Sequence, residues 1–458
     1  MIAWLRMIGW VFFAGIFFFS MRRPRLLRLG MGFFRRWAPI FASPFASFAG
    51  ATYLVTRADD TQEVLDRTND FLLGPVNQYK ILTGDFIIAL DPELRYIEEK
   101  GAVCRALPPA RLRMLEEIVD RESVGLLAGG PDQPLDVARY AEFITVAIIR
   151  DFWGLDPAGA TSRVVDAQPG CDTMRLWVRK LAIVLGSMEP GPFGIREVGV
   201  QCSEEFLSFV EARCAVHPRN ANDMMAHILR ESGSAEVTIR NIAGLVMTGA
   251  AVVTKAFCHA VDKLLREDEA RDEACRAAAS CVELAAAGNA RGSLAERARV
   301  GHLLVEALRF NPVFPVLPRY CVRTTTLARG TPRQTEIPAG ANVIVSPLGA
   351  MFDPEAVADA ERFGFGRNLQ FNSRSATQDW NYGTFPADGG PGDYVIFGGG
   401  EHWCLGDQMA VAEMASMGVA LLNRLHAPLA GSQARTPYVA RGLRYDGSAV
   451  ASLLVDSR

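Results

Sequence analysis

The sequence predicts a mainly α protein with a small β region, folded as a single large domain, and three observations predict it. The 458 residues are 49% apolar and 22% charged, near the average for soluble globular proteins. Long stretches repeat their apolar residues at the helical period. No repeat with a period of about 20–50 residues divides the chain, and no low-complexity linker does. Disorder, collagen-like sequence and a disulfide-stapled miniprotein are excluded. The net charge of −3 offers no positive field to gather a phosphate backbone, so no nucleic-acid partner is expected. Nine cysteines without a Cys-x-x-Cys pair read as buried thiols in a reducing compartment.

The N-terminal segment 1–58 stands apart. It carries eight arginines and no acid, so a chain of net −3 holds −11 in its remainder. Residues 2–21 are apolar apart from Arg6 and Ser20, and at about 1.5 Å per helical residue they just cross a ~30 Å hydrocarbon layer. Arg22, Arg23 and Arg25 follow at once, which keeps the rest of the chain on the cytoplasmic side, and no small-x-small cleavage site is present. An uncleaved membrane anchor is expected, with a cleaved signal peptide as the competitor. Phe33, Phe34, Arg35, Arg36 and Trp37, with Phe41, Phe45 and Phe48, mix aromatic and basic residues as a surface-lying membrane segment does. A core-packing helix and loop is the other reading of that stretch.

Within 59–458, helical periodicity is strong over 137–153, 239–265 and 300–310, and the Ala- and charge-rich stretch 270–299 is also helical in character. Arg319-Tyr320-Cys321-Val322 and Ala341-Asn342-Val343-Ile344-Val345 read as strands, with a turn at Ile337-Pro338-Ala339-Gly340 before the second. The polar stretch 367–392 reads as an irregular loop.

The informative segment is Phe397-Gly398-Gly399-Gly400-Glu401-His402-Trp403-Cys404-Leu405-Gly406, which leads straight into a helix-like run from Asp407. A Gly-rich loop entering a helix N-terminus offers backbone N–H donors and a positive dipole end to a cysteine thiolate. This segment resembles the haem-binding loop of the cytochrome P-450 family, Phe-Gly-x-Gly-x-(Arg or His)-x-Cys-x-Gly, at Phe397, Gly398, Gly400, His402, Cys404 and Gly406. The resemblance covers roughly 59 to the C-terminus. It implies a haem-thiolate enzyme with haem b as cofactor and Cys404 as iron ligand. A thiolate pushes electron density onto iron and favours O–O cleavage. Phe397 and Gly398 would shape the sulfur's surroundings and His402 would meet a haem propionate. Arg319 stands where the family places a propionate-binding arginine, and Tyr96 and Lys100 where a His and an Arg often serve the same purpose. Glu306 and Arg309 fit the family's structural Glu-x-x-Arg, 98 residues ahead of Cys404, with Arg367 completing the ion network from Phe-x-x-x-Arg. Glu273–Arg276 and Glu296–Arg299 have the same spacing, so position alone selects Glu306.

The sequence departs from the family at the distal helix. Where a typical monooxygenase carries an acid and a threonine that help deliver protons to bound dioxygen, the best match, Thr248-Gly249-Ala250-Ala251-Val252, has Ala251 and Val252. Thr254 is about 200° further round the helix and does not simply replace the alcohol. Val246, Gly249, Ala250, Ala251, Val252 and Val253 are the expected distal-pocket residues. Asp407, Glu413, Glu98 and Glu99 add negative charge where an acidic ferredoxin would dock, and no flavin or iron–sulfur domain is fused to the chain. These departures favour a lipophilic substrate with a peroxide or hydroperoxide as oxidant, in peroxygenase, isomerase or dehydratase chemistry. The alternative is a monooxygenase fed by a ferredoxin or flavin reductase, with substrate- or water-assisted proton delivery. A non-catalytic haem-binding protein is the third reading. The expected location is at a membrane, through the N-terminus, with a cytoplasmic catalytic domain.

Overall fold

A computed structural model describes residues 24–42, 51–73, 84–91, 93–107, 110–128, 135–156, 174–177, 195–365, 395–426, 438–446 and 449–457. The apolar run 2–21, the stretch 367–392 with Arg367, and the phenylalanines at 45 and 48 lie outside them.

The first described element is the helix α1 (Pro24–Trp37), which buries Leu27 and Met31 in the main core and leaves Leu26, Leu29, Phe33 and Trp37 exposed. Arg35 Nη1 donates to the Gly349 carbonyl at 3.0 Å. Strands β1 (Ile40–Ala42) and β2 (Thr52–Val55) pair antiparallel, so this part of 1–58 joins the large domain. Helix α2 (Ala58–Asp66) and strand β3 (Phe71–Leu72) follow, then helices α3 (Leu94–Ala106) and α4 (Ala110–Leu126), strand β4 (Leu135–Asp136) and helix α5 (Val137–Asp151).

Helices α6 (Ile195–Val216), α7 (Met224–Ser232) and α8 (Ala235–Leu264) come next. Short polar side chains start several of the helices by accepting from free first-turn N–H groups. Asp136 accepts from Ala138 N at 3.1 Å and Ser234 from Val237 N at 3.3 Å. The 30-residue α8 is long and apolar enough, by length and composition, for a membrane span. Here it is the central core helix, packed against α5 and α6. An apolar helix without a polar face needs protein on most sides.

The helical stretch expected over 270–299 divides into α9 (Asp268–Ala286) and α10 (Ala290–Phe310). Gly288, at φ 74°, ends the first, and Asn289 caps the second by accepting from Gly292 N at 3.0 Å. The helix read at 300–310 is thus the C-terminal half of α10. Strands β5 (Leu317–Cys321), β6 (Thr325–Leu327), β7 (Thr335–Ile337) and β8 (Asn342–Val345) follow, then the short helix α11 (Pro347–Ala350), helix α12 (Asp407–His426), and strands β9 (Tyr438–Asp446) and β10 (Ala449–Ser457).

One sheet has the order β1-β2-β8-β5-β3, a second β4-β10-β9, and β6 and β7 form a hairpin pair. β8 alternates, with Val343 and Val345 turned into a small second core beside Val55, Phe71 and Cys321, the period-2 pattern of a sheet with one buried face. In the main core, α12 packs against α4, α9 and α10. Gly418 lets α12 approach α10 closely, since a Cβ there would sit 2.8 Å from Leu304 Cδ1 and 2.9 Å from Val300 Cγ1. The strong periodicity of the helical stretches found its counterpart in core helices. The helical reading of 270–299 holds, apart from the break at 287–289 between α9 and α10.

Candidate active site

The loop before α12 is shaped by its glycines. Gly398 and Gly400 have φ of 81° and 63°, a region costly for other L-residues. A Cβ on Gly400 would also stand 2.1 Å from the Leu65 carbonyl oxygen of α2. Cys404 N donates to Phe397 O at 3.0 Å, which closes the loop, and Trp403 Nε1 donates to Asp407 Oδ2 at 3.0 Å, tying it to the first turn of α12. The Phe397 and Trp403 rings lie 6.2 Å apart. Nothing in the sequence pattern singled out the Trp403–Asp407 bond.

Cys404 is exposed, yet burial pushes its thiol up to about 12, with Asp407 adding to the shift and the Gly406 N–H opposing it. The loop donors and the helix end, expected to favour the thiolate, are outweighed by desolvation. A metal's charge would have to supply the remainder.

Three further residues converge on His402 of this loop. Tyr96 and Lys100, one turn apart on α3, both donate to the Glu401 carbonyl, and Lys100 Nζ lies 3.0 Å from Tyr96 Oη. The Tyr96 ring packs 5.2 Å from the His402 ring. Arg319, on β5, is 4% exposed; burial lowers its pKa to about 10. Burial, then Arg319, then Lys100 drive His402 down to about 3. Two buried nitrogens here, Arg319 Nε and His402 Nε2, have no hydrogen-bond partner among the described residues. Unpaired buried donors are costly, and a pair of carboxylates placed between them would relieve that cost.

On α8 the partly open positions between 243 and 261 are Leu245, Thr248, Gly249, Ala250, Val252 and Lys255. All but Ala250 recur at three- or four-residue steps and form one stripe. A Cβ added to Gly249 meets nothing within 4 Å, so open space lies before the stripe. Val246, Ala251 and Val253 are 2%, 6% and 5% exposed and packed in the main core. Val246 and Val253, seven residues apart, share a face that flanks the stripe on the Gly249 side. Thr254 Oγ1 lies 3.0 Å from Thr145 Oγ1 of α5 in the interior, and α8 runs unbroken past it.

Three of the four acids read as surface charge are buried. Glu99 is paired with Arg240 at 3.0 Å and accepts from Asn241 Nδ2 at 2.7 Å. Asp407 is held by Trp403. Glu413 bonds Thr145, and burial pushes it up to about 8, so it is uncharged at neutral pH. Charge read from composition presumed exposure that the packing of α12 and α3 removes.

Glu306 and Arg309 form a buried bidentate pair, at 3.0 Å from Nε to Oε2 and 2.9 Å from Nη2 to Oε1. Arg309 also donates to the carbonyls of Met351, Ala360 and Arg362 at 3.2, 2.6 and 3.0 Å, and Glu306 Oε1 accepts from Gly364 N at 2.9 Å. Of the other two pairs with this spacing, Glu273–Arg276 lies at the surface, and Arg299 bonds Glu273 in place of Glu296.

A desolvated thiol on the loop, an open helix stripe with a missing Cβ and a basic cluster with unpaired donors would suit a haem, with Cys404 as the residue to hold the iron and Arg319, His402, Lys100 and Tyr96 to hold the propionates.

Comparison with known proteins agrees with that fit. Residues 300–438 match the family model "Cytochrome P450". No curated protein matches the chain in sequence. The fold is that of solved cytochromes P450. The histidine-tagged, open EryK from S. erythraea is 20% identical, with a TM-score of 0.70 over 95% of this chain and 97% of that one. Ligand-free CYP164A2 of Mycobacterium smegmatis is 17% identical, with a TM-score of 0.68 over 96% and 99%. P450BioI, solved with an acyl carrier protein ligated to hexadec-9Z-enoic acid, is 14% identical, with a TM-score of 0.68 over 96% and 100%. The family binds haem through a cysteine thiolate on iron.

Proposed function

We propose that this chain, with its cytochrome P450 fold and its family match over 300–438, is a haem-thiolate oxidoreductase acting on a lipophilic small molecule and taking its oxygen as a peroxide or hydroperoxide. The observation that carries the choice of oxidant is the distal helix. Ala251 and Val252 stand where an acid and an alcohol would handle protons, and the next hydroxyl, on Thr254, is spent on Thr145. When bound, haem with a thiolate ligand supplies O–O cleavage. Cys404 would hold the iron, and Arg319, His402, Lys100 and Tyr96 would hold the propionates. Leu245, Gly249 and Val252 present an apolar wall that excludes water. A substrate bringing its own O–O bond needs no external reductase and no proton relay from α8.

One observation favours the second reading, a reductase-dependent monooxygenase. With Glu99, Asp407 and Glu413 buried, the surface near the loop is less acidic than composition suggests, so ferredoxin docking is less opposed. In either case the N-terminal segment would hold the protein at a membrane with its catalytic domain in the cytoplasm. The arginines at 22, 23 and 25 and the exposed Leu26, Leu29, Phe33 and Trp37 of α1 support that location.

The test is an absorption spectrum of the purified protein, ferric and then reduced under carbon monoxide. A fatty-acid hydroperoxide is then added without reductase. A thiolate-type band that vanishes in Cys404→Ala, with catalytic consumption of the hydroperoxide, is expected. Absence of the band overturns the haem-thiolate reading. A band with no turnover moves the assignment to the monooxygenase.

A further inference from the structure

Resting on that reading, we propose that Lys255 holds a carboxylate of the substrate, making the site selective for an apolar molecule with one acidic end. Four of the five positions on the α8 stripe offer no free polar group: Leu245, Gly249 and Val252 carry none, and the Thr248 hydroxyl donates to the Gly244 carbonyl at 2.7 Å. Lys255, one turn beyond Val252 on the same stripe, is the exception. Its side chain is partly open, yet burial takes its pKa down to about 8, the combination of access and depth that also marks Cys404.

Among the described residues no carboxylate compensates it. Among the described residues Lys255 makes no hydrogen bond or ion pair, and burial is the single cause of its shift. Its titratable neighbour is His259, one turn further along α8, with Nδ1 3.0 Å from the Asn311 carbonyl. Burial and the Lys255 charge hold that histidine at about 3, so it is neutral and brings no counter-charge. A desolvated ammonium without an anion is unfavourable. An anion arriving along an apolar stripe would be paired on entry, and a charge-assisted bond out of water is among the stronger polar contacts.

The probes are dodecanoate and dodecan-1-ol, which share a chain and differ in charge, titrated by calorimetry into the haem-loaded protein. The wild type is expected to bind the acid at least about tenfold more tightly than the alcohol. Lys255→Gln removes that preference and leaves the alcohol within about twofold, and Lys255→Arg restores most of it. Equal binding of acid and alcohol by the wild type overturns the proposal and needs no variant to fold. So does an acid preference that survives in Lys255→Gln. A missing thiolate-type band would sink the underlying reading. An intact band with no acid preference sinks the Lys255 assignment alone.

Discussion

Glu413 shows how little a single letter says about charge. In the sequence it is an acid on a helix; in the fold it is buried against Thr145 and its carboxyl titrates at about 8. The unfolded chain ionises this group from its ordinary 4.5 upward, so between those two values the folded state binds more protons. Stability contributed by the neutral carboxyl is therefore present below the lower value and lost as pH rises toward the upper one. Glu413→Gln keeps the shape and discards the proton. Its melting temperature is expected to exceed that of the wild type by a margin that grows from about pH 5 to about pH 8. A margin constant with pH would assign the effect elsewhere. Burial is set by what packs on α12 from α5, which no local pattern encodes. The Gly-rich loop is the opposite case, because its turn chemistry and its cysteine are contiguous. Arg319, His402 and Lys100 lie between: each was marked by position, but their convergence, and the two nitrogens it leaves unpaired, exists only after β5 and α3 meet the loop.

The legible elements are those whose periodicity is long and whose neighbours are other helices. α8 is the clearest, and its identity as core helix rather than span follows from its packing, not its composition. The three Glu-x-x-Arg pairs show the limit: identical spacing gives a surface pair, a pair that re-partners, and one buried clasp. Arg309→Met takes the guanidinium from the buried Glu306 carboxylate, and a loss of roughly 3–5 kcal/mol is expected, read as a lower denaturant midpoint. Arg276→Met, at the surface, is expected to change the midpoint by less than about 1 kcal/mol. Comparable losses from both would mean that burial does not separate them.

Across the whole molecule the charge is divided, +8 in the first 58 residues and −11 in the rest. α1 joins the two parts. It packs Leu27 and Met31 against the acidic domain and leaves Leu26, Leu29, Phe33 and Trp37 outward among arginines. If that face lies on anionic lipid, the full chain is expected to sediment with vesicles containing phosphatidylserine. Leu29→Glu combined with Phe33→Glu should reduce the bound fraction several-fold while leaving the haem spectrum unchanged. Undiminished sedimentation of the double variant would place all membrane contact on the preceding apolar run. The fold's outline was readable because it rests on helix periodicity; the division of α1 into a buried and an exposed face was not, since it depends on which elements pack against the helix.

The clasp on α10 carries a consequence for how the chain tolerates change. Arg309 reaches Met351, Ala360 and Arg362 through their carbonyls, and Glu306 takes the Gly364 amide. Carbonyls are common to every amino acid, so at those points the turn-rich stretch approaching the loop is free to drift in sequence while keeping its path. The specification of that path resides in two side chains more than forty residues upstream of the first carbonyl they hold, and mutability is displaced from the shaped segment onto the pair that shapes it.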